Sequence, residues 1–202
     1  MADQPAQTPV NPAAARAELR RAKIAARLAL DADAHHHASA LILDHLAALL
    51  RAHPPATLAF CWPIRAEVDC RSLVEELLAA GWQAAMPVVV APESPMAFHR
   101  WLPEMAMRPD PHGIPVPAVA EPCSVDVLLL PLVGFDDAGY RLGYGGGYFD
   151  RTLAACARRP KTIGVGFELG YVASITPESH DIALDAIVTE AGIRRPAGVD
   201  FY

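Results

Sequence analysis

The chain has 202 residues, 52% of them apolar, with a formal net charge of −6 and a pI near 5.7. That length suits one sizeable domain with a large core, and the acidic balance excludes a protein that coats nucleic acid, whose phosphate contacts demand a basic surface. No apolar run is long enough to span a membrane. Residues 1–12 have neither the basic nor the apolar stretch of a signal peptide and read as a disordered leader. Cys61, Cys70, Cys123 and Cys156 form no CxxC pair and no zinc spacing. Together these features predict a cytoplasmic protein with reduced cysteines.

In chain order, residues 13–30 read as a helix rich in Ala, Leu and Arg. Asp31 is placed to cap a second helix running to about His53, where Pro54 and Pro55 end it. Thr57–Trp62 reads as a buried strand, residues 70–80 as a helix closed by Gly81, Ala84–Val90 as a strand and Met96–Leu102 as another. The proline-dense stretch 103–123 reads as an ordered or semi-ordered loop inside one domain. Val125–Leu130 is a continuous apolar run, the pattern of a strand buried on both faces. A helix from about Gly147 to Arg158 and strands at Thr162–Phe167 and Ala186–Thr189 complete the pass. Strands alternating with helices predict a largely parallel sheet covered by helices on both faces.

The densest chemical signal is Asp136-Asp-Ala-Gly139-Tyr-Arg141-Leu142-Gly143-Tyr144-Gly145-Gly146-Gly147-Tyr148-Phe149-Asp150-Arg151, which follows the apolar strand and leads into a helix. Glycines bury little, so a core does not need them. A bound phosphate does, because backbone N–H groups close around an oxyanion only where no Cβ intrudes, and the following helix aims its positive end at the charge. Two common phosphate loops are excluded: Tyr148 stands where a GxGxxG fingerprint needs glycine, and a Walker A loop needs a lysine that is missing. The guanidinium of Arg141 offers a planar fork to phosphate oxygens, in charge-assisted bonds of about 1.5–3 kcal/mol each. Asp150 falls early in the helix, where it either complements the helix dipole or holds Mg²⁺.

Asp136-x-x-Gly-x-Arg-Leu-Gly-Tyr-Gly-Gly-Gly-Tyr-Phe-Asp-Arg resembles the signature of the 5-formyltetrahydrofolate cyclo-ligase family, and the similarity extends over most of the chain outside the leader. It implies a three-layer α/β/α fold with a mostly parallel central sheet. It also implies an ATP- and Mg²⁺-dependent cyclisation of 5-formyltetrahydrofolate to 5,10-methenyltetrahydrofolate. Arg16 and Arg20 resemble the family's N-terminal basic pair at ATP. Together with Arg141 and the run Leu142, Gly143, Tyr144, Gly145, Gly146, Gly147, Tyr148 and Phe149, they form the implied nucleotide site. Arg141 and Tyr148 are the implied catalytic residues, and Trp62, Glu67, Tyr144 and Tyr148 the implied folate contacts. Asp150 and Asp181 are the implied Mg²⁺ ligands. Tyr144 and Gly146 stand where some members carry arginine and lysine. No nucleic-acid or membrane partner is expected, and the expected state is a monomer or weak homo-oligomer. Two rival readings share the phosphate machinery or the architecture: a paralogue acting on another formamide, such as a formylaminopyrimidine, and a non-enzymatic ligand-sensing domain.

Several residues also carry readings of their own. Arg16, Arg20, Lys23 and Arg27 fall on one helical stripe, which alone reads as a solvated basic face; with the resemblance, Lys23 and Arg27 are expected to stay in solvent. Glu67 follows a strand end, where open α/β sheets bind ligands, and reads equally as a surface acid. Trp62 reads as core or as a stacking platform. His35-His36-His37 reads as a solvated helix face, and His180 receives no role.

Overall fold

The computed structural model describes residues 12–196. The expected leader falls outside that range except for Pro12, which opens the first helix. Four α-helices are described, α1 (Pro12–Leu28), α2 (Ala32–Arg51), α3 (Arg71–Ala79) and α4 (Tyr148–Ala155). The Asp31 side chain accepts the Ala34 N–H at 2.8 Å and so caps α2 as its position predicts.

Eleven strands are described: β1 (Thr57–Ala59), β2 (Gln83–Val88), β3 (Ala97–Trp101), β4 (Met107–Pro109), β5 (Pro115–Pro117), β6 (Val127–Pro131), β7 (Gly134–Phe135), β8 (Arg141–Leu142), β9 (Lys161–Val165), β10 (Ala186–Thr189) and β11 (Gly192–Arg194). Seven of them form the central sheet in the order β11-β10-β9-β6-β1-β2-β3. The five inner strands run parallel, and the edge strands β3 and β11 pair antiparallel.

The sheet is buried on both faces, as the apolar run in β6 predicts. Val127 and Leu129 point to one side and Leu128 and Leu130 to the other, all 8% exposed or less. On the first side, Ile42, Leu46 and Leu50 of α2 and Leu73, Val74 and Leu77 of α3 pack against Leu129, Ile163 and Val188. On the other, Leu153 of α4 packs with Leu128, Leu130 and Ile187. This is the three-layer arrangement.

The structure corrects some boundaries. β1 stops at Ala59, because the chain leaves the sheet at Cys61–Pro63 to build the turn that carries Glu67. α4 stops at Ala155 rather than Arg158, with Cys156 already extended ahead of Pro160. The expected loop 103–123 contains the hairpin β4–β5, whose turn is organised by Asp110: its Oδ1 accepts the N–H groups of His112 and Ile114. Its prolines are tolerated because β4 and β5 form a separate two-stranded sheet in which both are edge strands. Among the described residues no helix is long and apolar enough to cross a membrane.

Candidate active site

The chain leaves β1 through α3 toward β2 on one side of the sheet, and leaves β6 through α4 toward β9 on the other. β1 and β6 are neighbours, so their carboxyl ends flank a topological switch point, the usual place for a ligand in an open α/β sheet. A small recess of about 20 Å³ opens there, lined by Phe60, Cys61, Glu67, Leu130, Pro131 and Val165 among others.

Glu67 reaches this recess by a strained route. Arg65 and Ala66 have φ of 48° and 58°, and the Glu67 N–H closes the turn on the Ile64 carbonyl at 3.0 Å. Left-handed backbone at a non-glycine residue costs of order 1–3 kcal/mol and persists only where the surroundings hold it. Arg27 donates to the Arg65 carbonyl at 3.0 Å, and a His35 ring nitrogen lies 3.0 Å from the Ala66 carbonyl. The Glu67 carboxylate accepts the Ile64 N–H at 3.0 Å and the Tyr144 hydroxyl at 2.6 Å. Burial pushes its pKa above the ordinary glutamate value, against the opposing pull of those two hydrogen bonds and of Arg27 and Arg65. If the ionised form receives a ligand's donors, ligand affinity will fall as pH drops through that raised pKa. The loss is expected to begin above about pH 4.3, the value of a free glutamate. A titration of ligand affinity against pH checks it, and a midpoint at or below the free value removes Glu67 from that role.

The signature run divides into a structural half and a chemical half. Asp136 is 3% exposed; one oxygen accepts the N–H groups of Ala138 and Tyr140 and the other that of Ile175. With Gly139, whose N–H bonds the Asp136 carbonyl, it builds the β7–β8 hairpin that presents Arg141. Leu142 is fully buried, so its side chain serves the core. The glycines then lead to Gly147, the N-cap of α4, at φ 64° with no side-chain cap. The first-turn N–H groups of α4 therefore receive no acceptor from their cap residue, the condition under which a helix start receives an anion.

Arginines gather around this loop. Arg20 donates to the Gly143 carbonyl at 2.6 Å, and Arg151 to that of Gly146 at 2.6 Å. Arg141, 7% exposed, lies 3.0 Å from Asp150 and donates to the Ile182 carbonyl at 3.0 Å. Burial lowers its pKa against the pull of Asp150, yet a guanidinium stays charged in proteins. Arg16 grips Asp181 with both terminal nitrogens, at 2.6 and 3.3 Å. Burial disfavours the Asp181 carboxylate, but Arg16 and the Glu178 N–H outweigh it and hold its pKa below the usual aspartate value. Tyr148 opens α4 with Arg151 over its ring at 5.0 Å, and Phe149 lies 5.9 Å from Arg141.

Arg27 corrects the sequence reading. Expected in solvent, it is 4% exposed and bonds into the site. Lys23 is also engaged, donating to the Leu169 and Tyr171 carbonyls. The stripe itself was the available signal: one helical face that delivers Arg16 and Arg20 to a site delivers Lys23 and Arg27 to the same side. Trp62 is half-buried, with one face covered by Arg71 at 4.3 Å, which Asp69 holds through both carboxylate oxygens. His36 and His37 are exposed as expected, whereas His35 packs on Phe167.

Asp150 and Asp181 suit Mg²⁺ in kind, since that ion uses one or two carboxylates and completes its shell with water and phosphate oxygens. Asp150 accepts the N–H of Ile182, the chain neighbour of Asp181, at 3.2 Å, which brings the two acidic segments together. Among the described residues no cluster of three or more His, Cys, Asp or Glu could hold a metal by itself.

Residues 12–190 match the model of the 5-formyltetrahydrofolate cyclo-ligase family. The chain belongs to this family. Members convert 5-formyltetrahydrofolate to 5,10-methenyltetrahydrofolate, and the protein is accordingly an enzyme of the ligase class. The 5-formyltetrahydrofolate cyclo-ligase of Escherichia coli K12 is 29% identical over 158 residues, covering 70% of this chain and 84% of its own. That of Haemophilus influenzae is 27% identical over 165 residues, covering 78% and 88%. A solved 5,10-methenyltetrahydrofolate synthetase from Mycoplasma pneumoniae superposes with a TM-score of 0.73 at 26% identity, over 87% of this chain and 98% of that one. The Aquifex aeolicus synthetase does so with 0.76 at 27%, over 93% and 95%.

Proposed function

We propose that this cyclo-ligase binds ATP on the glycine loop and uses it to cyclise 5-formyltetrahydrofolate to 5,10-methenyltetrahydrofolate, releasing ADP and phosphate. The observation that carries the reading is the meeting of Arg16, Arg20 and Arg141 with the uncapped start of α4 around one loop.

The substrate's N5-formyl group is an amide, so its carbon is a poor electrophile and its oxygen a poor leaving group. Transfer of the γ-phosphoryl to the formyl oxygen gives an imino-phosphate. N10 of the same molecule attacks the activated carbon and gives up its proton, and the C–O bond breaks to release phosphate as the ring closes. No protein nucleophile takes part. Catalysis is positioning and charge stabilisation. The Arg141 fork and the loop amides from Gly143 to Gly147 hold the transferring phosphoryl, with Arg16 and Arg20 on the nucleotide. Trp62, Glu67, Tyr144 and Tyr148 orient the folate.

Asp150 and Asp181 are the proposed holders of Mg²⁺, which when bound offsets charge on the phosphate oxygens. Asp150→Asn is expected to raise the Mg²⁺ needed for half-maximal rate by about tenfold or more. An unchanged metal titration would remove Asp150 from that role. The reaction itself is tested by incubating the protein with ATP, Mg²⁺ and 5-formyltetrahydrofolate and following methenyltetrahydrofolate absorbance. Turnover of a formylaminopyrimidine in its place would transfer the same phosphate chemistry to a paralogue.

A further inference from the structure

Arg27 has no part in the chemistry above, yet it is the one buried arginine of α1, at 4% exposure. Its guanidinium reaches three separate segments: Nε donates to the Arg65 carbonyl at 3.0 Å, Nη1 to the Leu132 carbonyl at 3.0 Å, and Nη2 to the Tyr144 hydroxyl at 2.7 Å. A guanidinium has no acceptor, so the Tyr144 oxygen must accept from Arg27 and pass its own proton outward. That proton goes to Glu67 Oε1, at 2.6 Å. Arg27 Nη2 stands 3.9 Å from the same oxygen. Tyr144 belongs to the glycine loop, between Gly143 and Gly145, whereas Glu67 faces the recess between β1 and β6. The loop, the strained Arg65–Ala66 turn and the end of β6 are thus joined through one buried side chain.

We propose that Arg27, Tyr144 and Glu67 form a clamp that couples the two substrate sites, with Arg27 as its positioning residue. This rests on the reading that the glycine loop takes ATP and Glu67 takes the folate. Drawing the loop onto a phosphate moves Tyr144, which fixes the Glu67 carboxylate and its turn; seating a folate on Glu67 fixes Tyr144 and with it the loop. The network orders both sites when either is filled, so each ligand strengthens the other by the same factor.

The test is a binding cycle by isothermal titration on the full chain. The probes are 5-formyltetrahydrofolate and the β,γ-imido analogue of ATP with Mg²⁺, each titrated alone and in the presence of saturating partner. In the wild-type protein each ligand is expected to tighten the other about tenfold, within the usual span of such couplings. Tyr144→Phe removes one hydroxyl from a ring that is 36% exposed and leaves the core intact; in it the factor should fall to within about twofold of unity. Arg27→Lys, which keeps the charge but not the fork, should show an intermediate factor. Wild-type coupling retained in Tyr144→Phe, or both ligands binding wild-type protein with no mutual effect, overturns the clamp and leaves the functional reading standing. Failure of either probe to bind wild-type protein overturns the functional reading, and the clamp with it.

Discussion

Arg141→Ala is expected to lower kcat by at least about a hundredfold and to destabilise the fold at the same time. The rate loss follows from removing the fork that holds charge on the transferring phosphoryl. The stability loss follows from the position of Arg141: it is 7% exposed, 3.0 Å from Asp150 and bonded to the Ile182 carbonyl. Deleting one partner of a buried ion pair strands the other charge, at a cost of about 3–5 kcal/mol. Asp150 keeps a side-chain exposure of 19%, so that range is an upper bound. The sequence presents Arg141 as a fork for phosphate oxygens; the structure makes it a structural member as well. Arg141→Lys separates the two roles. Its ammonium still answers Asp150 and should recover most of the denaturation midpoint, but it offers a phosphate only a point charge, so the rate should stay low. Near wild-type turnover in folded Arg141→Lys and Arg141→Ala proteins would remove Arg141 from the mechanism.

The core was legible because its strands are apolar runs between strong breakers. β6 and β10 read from Val125–Leu130 and Ala186–Thr189; the strand residues Val127–Leu130 and Ala186–Thr189 are buried throughout. β11 was not legible: Gly192, Ile193 and Arg194 are half-buried at an edge, with no alternation to betray them. The β4–β5 hairpin was hidden by Pro109, Pro115 and Pro117, which argue against a strand unless the pairing is marginal to the sheet. At the site, the glycine run and its arginine marked the phosphate loop, but nothing in the sequence marks Arg65 and Ala66 as left-handed. Those conformations are imposed by Arg27 and His35 from distant helices. Asp136 and Gly139 show the converse: they stand within the most recognisable motif, yet their bonds shape a hairpin rather than chemistry.

Gly143→Ala is expected to weaken ATP binding about tenfold or more while leaving the fold equally stable or more so. The loop glycines differ in what a side chain would meet. At Gly146 a Cβ lies 2.9 Å from the Tyr148 ring, and at Gly147 it lies 2.7 Å from Arg151 on backbone at φ 64°. Gly146→Val therefore disturbs Tyr148 whether or not a phosphate binds. Gly143 has no such conflict: no heavy atom lies within 4 Å of its Cβ, and its φ is outside the left-handed region. The Arg20 bond uses the Gly143 carbonyl, which alanine retains. Where the backbone tolerates it, Gly→Ala stabilises by about 0.4–1 kcal/mol through the unfolded chain. An affinity loss with an unchanged or raised melting temperature then belongs to the loop closing on the nucleotide and not to a damaged fold. Calorimetric titration with ATP and a thermal melt of the same sample give both numbers, and unaltered ATP affinity would mean that the loop does not close on phosphate at residue 143.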